Sequence, residues 1–222
     1  MWLLPTYNRP EGCKRTLQSL IDTGCTTPGV VVVNGNLDGY EDLPLPTSWM
    51  VHVTDSNLGS CGAMRWAFNQ YPHEDFYGYI SDDETAHTEG WDQLLIEAAG
   101  EFYVAHGNNG VTSKDNTIGF CTIGGDLVRK VGWWAPENLW HWYFNAYWEV
   151  IAKRCDIRKF CKDVEIVERH YKLNTAEFDE TYRLGEEKNE ADQLLFLEWL
   201  RDTNNGMLPT CARITEYVHR NS

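Results

Sequence analysis

The residues with the densest chemical potential lie in Tyr77-Gly-Tyr-Ile-Ser-Asp-Asp-Glu84, a short β-prone run that stops in three adjacent carboxylates. Asp82, Asp83 and Glu84 side by side repel one another, and a divalent cation with oxygen ligands relieves that repulsion. A solvated acidic turn is the other reading, since Asp is common where strands end. A second polar set, Thr6-Tyr-Asn-Arg9, follows the apolar opening Trp2-Leu-Leu-Pro5. Both sets sit where a strand would emerge from a sheet, which is where open α/β sheets bind ligands.

The elements that must position these groups follow from periodicity. Residues 2–5 read as a strand, and Pro10 opens a helix whose apolar face carries Leu17, Leu20 and Ile21. Val30 to Val33 form an all-apolar strand, as expected when helices cover both faces of a parallel sheet. Further strands are predicted at 50–53, 77–81, 102–105, 118–123 and 164–168, and helices at about 61–69, 90–99, 126–131 and 145–154. This alternation predicts a doubly wound, mostly parallel α/β sheet. A charged segment to about Arg201, with Leu194, Leu195, Leu197 and Leu200, predicts a packing helix.

Composition narrows the class. The 222 residues include 33 Asp and Glu against 19 Lys and Arg, a net charge of −14, which disfavours a surface that tracks nucleic acid throughout. The seven cysteines are scattered and contain no C-x-x-C pair, so neither a zinc site nor a disulfide framework is expected, and a reducing cytoplasm is. No apolar run is long enough for a membrane span, and Met1-Trp-Leu-Leu-Pro5 lacks the basic start of a signal peptide. Of ten tryptophans, four fall between Trp133 and Trp142. Such rings stack on sugars and bases or fill cores.

Taken in order, Pro5-Thr-Tyr-Asn-Arg-Pro10, Arg15-Thr-Leu-Gln-Ser-Leu20, Asn57-Leu-Gly59, Asp82-Asp-Glu84 and Gly124-Gly125 resemble the motifs of the GT-A glycosyltransferases over roughly residues 2 to 171. The resemblance implies a GT-A domain at 1–174, with a nucleotide-sugar half (1–100) and an acceptor half (101–174), and a helical extension at 175–222. It also implies a nucleoside-diphosphate sugar, UDP-sugar favoured, bridged to the acidic triplet by Mn²⁺ or Mg²⁺. Pro5, Thr6, Tyr7, Arg9 and Asn34 would then border the nucleoside, and Asn57 and Arg65 the ribose or diphosphate. The family's Asp-x-Asp motif fits either Ser81-Asp82-Asp83 or Asp82-Asp83-Glu84. In the second register Asp82 and Glu84 would hold the cation with His170, and Asp83 would stand at the reacting centre. The family's catalytic carboxylate falls at Asn145, an amide that takes no proton. Glu149, one turn on, is the nearest carboxylate of that helix, and Glu137 and His141 precede it.

The resemblance implies as acceptor a hydroxyl on a glycan, a protein or a hydroxymethylated DNA base. The last is suggested by Lys153-Arg-Cys-Asp-Ile-Arg-Lys-Phe-Cys-Lys162, five cations with a Phe in an acidic chain. A solvated helix face is the other reading of that cluster. Two further readings stand beside the transferase: a degenerate domain that binds nucleotide or carbohydrate without turnover, and a nucleotidyltransferase. The latter would want a glycine-rich phosphate loop where this chain has Thr6-Tyr-Asn-Arg9.

Overall fold

Val30, Val31, Val32 and Val33 are all fully buried, which a strand achieves only when both faces of its sheet are covered. The computed structural model describes residues 1–110 and 118–221, the last three by backbone alone. Its strands are Trp2–Thr6 (β1), Gly29–Asn34 (β2), Trp49–Thr54 (β3), Phe76–Tyr79 (β4), Glu84–Ala86 (β5), Val104–Asn108 (β6), Cys121–Gly124 (β7) and Arg158–Glu168 (β8). The helices are Pro10–Asp22 (α1), Gly59–Gln70 (α2), Trp91–Ala99 (α3), Gly125–Val131 (α4), Phe144–Arg154 (α5), Glu180–Arg201 (α6) and Met207–Asn221 (α7).

Side-chain alternation assigns the faces. Met1, Leu3, Val30 and Val32 pack with Met64 of α2, Leu127 of α4 and Trp148 and Ile151 of α5. Trp2, Leu4, Val31 and Val33 pack with Leu17 and Leu20 of α1 and Trp91 and Leu95 of α3. Each fully buried aliphatic contributes roughly 1.5–3 kcal/mol relative to exposure. Gly78 has a specific task here: a Cβ would lie 2.4 Å from the Trp2 ring, so only glycine lets β4 pair closely with β1.

The strand order is β3-β2-β1-β4-β7-β6-β8-β5. Pairs β3-β2, β2-β1, β1-β4 and β6-β8 are parallel, and β4-β7, β7-β6 and β8-β5 antiparallel. The sheet is therefore mixed, parallel in its first half and mostly antiparallel in its second. β3 is one edge, and Met50, Val51 and Val53 on it are exposed.

Three elements differ from the sequence expectation. β8 begins at Arg158, not at 164, so the basic cluster is divided between the end of α5 and the first half of a strand. The three-residue β5 is too short to leave a pattern, yet it pairs Glu84 with Glu168 and fixes where the acidic triplet turns. Beyond α6 the chain adds α7, whose Ile214 enters the core beside α5 and whose Tyr217 stacks on Phe102 at 4.4 Å. No helix among the described residues is long and apolar enough to cross a membrane.

Candidate functional site

The C-terminal ends of β1, β2 and β4 converge on one pocket, because parallel strands deliver their ends to the same side of a sheet. Pro5, Thr6, Tyr7, Arg9, Asn34, Asn57, Asp82, Asp83, Glu84, Asn145 and His170 all line it. After β1, Asn8 adopts φ 53, a left-handed turn that Asn tolerates, and Pro10 starts α1, so Arg9 is folded back over the strand ends.

Thr6 Oγ1 donates to Asp82 Oδ2 at 2.7 Å and lies 3.0 Å from Tyr40 Oη, which in turn accepts from the Arg9 N–H at 2.8 Å. The Arg9 guanidinium reaches Asp82 Oδ1 at 3.3 Å and Asp83 Oδ2 at 3.4 Å. Asp83 also accepts from the Ser81 hydroxyl, and from Tyr182 Oη at 3.1 Å. Glu84 turns back beneath the strand end, its Oε2 accepting from Ser81 N at 2.7 Å. Asn34 Oδ1 accepts from Leu58 N at 3.1 Å and so ties the end of β2 to the turn before α2.

Among the described residues four carboxylates face this pocket against one guanidinium, and the raised proton affinities of three of them show the strain. Burial raises Asp82 to about 6, with Arg9 opposing and Asp83 adding to the shift. Burial and then the Asp83 charge push Glu84 well above the carboxylate range, and the same two causes bring Glu168 to about 7. Burial lowers His141 and His170. Arg9 is held firmly charged: burial opposes it, but the Asp179 hydrogen bond and the charges of Asp82 and Asp83 outweigh that. An excess of hard oxygen donors suits a divalent cation. Yet among the described residues no group of three His, Cys, Asp or Glu side chains is placed to ligate one ion. Asp82 and Glu84 are spent on Thr6, Arg9 and Ser81, and the His170 ring accepts from Lys172 N and packs on Tyr182. The described side chains thus form no closed cation site of their own, and an ion here would need the phosphate oxygens of a substrate to complete its shell.

The opposite wall is the aromatic loop. Trp134 is fully buried and Trp133 packs on Trp148, so these two belong to the core, whereas Trp140 and Trp142 line the pocket. Gly59, at φ 69, is required beneath this wall, since a Cβ would lie 2.3 Å from the Trp140 carbonyl oxygen. The loop is pinned by Asp192 of α6, whose carboxylate accepts from the backbone N–H groups of Trp140, His141 and Trp142 at 2.8–2.9 Å. Ser60 Oγ lies 3.0 Å from His141 Nδ1.

Two expected residues lie outside the pocket. Glu149 accepts from Ile118 N at 3.0 Å and pairs with Arg158 at 3.1 Å and Lys153 at 2.5 Å, because its face of α5 turns toward β8. Arg65 spends its guanidinium on the carbonyls of Pro136 and Leu139 at 2.7 and 2.8 Å, bracing the aromatic loop instead of reaching a ligand. Glu137 is exposed. Conversely, Glu168, Thr181 and Tyr182 line the pocket without having been expected there, and Asp179 reaches it through Arg9. Only the helix-start signal at Asp179, whose side chain caps α6 through Tyr182 N at 2.9 Å, was visible locally.

No family model and no curated protein matches this chain. Among solved structures it is similar to S. aureus TarS, at 14% identity and TM-score 0.58 over 99% of this chain and 43% of that one. The 1–349 portion of TarS in complex with UDP-GlcNAc gives 15% and 0.58, with 99% and 71% covered. Glucosyl-3-phosphoglycerate synthase from Mycobacterium tuberculosis, in complex with Mn²⁺, UDP and glucosyl-3-phosphoglycerate, gives 13% and 0.58 over 87% of this chain and 78% of that one. GalNAc-T7 with UDP, GalNAc and Mn²⁺ gives 11% and 0.58, with 75% and 43% covered. The chain thus spans less than half the length of TarS and GalNAc-T7.

Proposed function

We propose that this chain, which has the GT-A fold of those glycosyltransferases, is itself a cation-dependent glycosyltransferase that moves a sugar from a nucleoside-diphosphate sugar to a hydroxyl acceptor. The observation that carries this reading is the acidic triplet at the end of β4, opening into the pocket that also receives the ends of β1 and β2. Breaking the glycosidic bond leaves negative charge on a diphosphate, and a divalent cation beside it stabilises that charge as a Lewis acid. Asp83 would hold the cation together with diphosphate oxygens, while Thr6, Tyr7 and Asn34 border the nucleoside. Trp140 and Trp142 would stack on the sugar or acceptor and exclude water, which limits hydrolysis of the donor. UDP is the favoured nucleotide, since three of the four similar solved structures described above are complexes of UDP or a UDP-sugar.

The divided basic cluster favours a glycan or protein hydroxyl over a DNA base. Lys153 and Arg158 are paired with Glu149, and Lys159 lies over the Tyr103 ring at 4.3 Å. One observation favours a second reading, binding without turnover: the helix that should carry the base presents Asn145 to the pocket and locks Glu149 outside it.

Thermal shift with UDP, GDP and their sugar conjugates, each with Mn²⁺ and with a chelator, tests the proposal, because a ligand of the folded state alone raises Tm. Cation-dependent stabilisation by one donor is expected; no shift with any would overturn it. Binding followed by transfer to no acceptor would select the second reading.

A further inference from the structure

The space left among the pocket residues is about 180 Å³, below the roughly 300 Å³ at which small-molecule sites begin. What fills the rest is the start of α6. Asp179 presents both carboxylate oxygens to Arg9, Oδ2 to Nε at 2.6 Å and Oδ1 to Nη2 at 2.8 Å. Thr181 Oγ1 donates to the Tyr7 carbonyl at 2.7 Å. The Tyr182 ring lies 3.8 Å beneath the guanidinium carbon, and its hydroxyl reaches Asp83. The inner N–H groups of Arg9 are thus committed to Asp82 and Asp83, while its outer fork meets an acid from a different element.

That fork is the geometry by which arginine takes a carboxylate or a phosphate, two oxygens on two parallel N–H groups. The geometry points to Arg9 as the anion-binding group of the pocket, with Asp179 holding that position in the free protein until the diphosphate of a donor displaces it. This inference rests on the nucleotide-sugar reading and adds to it a placeholder built into the chain. Displacement would carry Thr181 and Tyr182 away from Tyr7 and Asp83, so that the Asp83 carboxylate loses the Tyr182 hydroxyl as the diphosphate arrives and keeps Ser81 and Arg9. The placeholder is partly open to water, with its side chain 41% exposed against 12% for Arg9, so it is the partner that can leave.

Asp179→Asn is the informative variant, because Asn caps a helix as well as Asp does but cannot balance the Arg9 charge. Glu180→Gln removes the same charge one residue away, from a side chain paired with Arg183 and not with Arg9. Calorimetric titration with inorganic pyrophosphate and with UDP, in Mg²⁺ buffer, should show both probes binding Asp179→Asn about tenfold more tightly than wild type, with Glu180→Gln unchanged. Amide hydrogen exchange at Tyr182 and Arg183 should quicken in Asp179→Asn. Equal UDP affinity in wild type and Asp179→Asn, or an equal gain in Glu180→Gln, overturns the placeholder while leaving the donor reading standing. Pyrophosphate responding as expected with no binding of UDP supports the placeholder and overturns the donor reading. Binding of neither probe by any of the three proteins overturns both.

Discussion

At the scale of single residues, the pocket stores charge that the folded chain accommodates poorly. Glu168 shows this most directly: burial and Asp83 raise its proton affinity from the ordinary 4.5 to about 7. Between those values the unfolded chain has released the proton and the folded one retains it, so this group's contribution to stability is present at low pH and lost as pH rises through 7. Glu168→Gln should therefore melt above wild type at pH 8, with the gap closing towards pH 5; a pH-independent gap would show that the charge is not strained. Asp83→Ala should keep its fold, since Tyr182 Oη still donates to the Arg169 carbonyl at 3.1 Å. It should also lose any cation-dependent stabilisation by UDP, and retention of that shift would remove Asp83 as the ligand. The residues legible in the sequence were those at strand ends, where a polar group follows an apolar run and needs no knowledge of the fold. Asp179 was legible only as a helix cap and Asp192 not at all, because the contact each makes to the pocket is with a partner far along the chain. Glu149 misled for the same reason: which face of α5 meets Arg158 is a tertiary fact.

At the scale of elements, the C-terminal helices are part of the site's construction. α6 supplies Asp192 to the aromatic loop and Tyr182 to the acids, while Phe196 and Trp199 pack on Tyr147 of α5 at 5.0 and 4.5 Å. Ending the chain after residue 174 should uncover these rings and Ile214, giving insoluble protein or loss of a cooperative melting transition; a soluble product with wild-type Tm would refute this. Asp192→Ala leaves three half-buried backbone N–H groups without their acceptor, at about 1–3 kcal/mol each in the limit where no water replaces it. A fall in Tm of several degrees is expected, and an unchanged Tm would mean that water serves as well. The order of strands and helices was readable because each parallel crossover writes its own apolar period. β5 and the first half of β8 were not, one being only three residues long and the other carrying Arg158, Lys159 and Lys162 in place of an apolar alternation.

At the scale of the whole molecule, two opposing features meet at β3. Among the described residues its outer edge has no partner strand, and its exposed Met50, Val51 and Val53 carry no charge to discourage another strand. The net charge of −14 acts against that contact by repelling every other copy. Repulsion between separated surfaces weakens as the screening length falls from about 30 Å at 0.01 M salt to about 3 Å at 1 M, whereas the strand edge is indifferent to salt. The protein should consequently show the inverse of ordinary salting-in: clear at low ionic strength, with light scattering that grows as salt is added. Val51→Lys should hold it clear throughout, and equal turbidity in that variant would place the adhesive surface elsewhere. In colloidal terms the free edge is a latent attraction kept dormant by charge, so the ionic strength chosen for storage sets the shelf life of the folded protein.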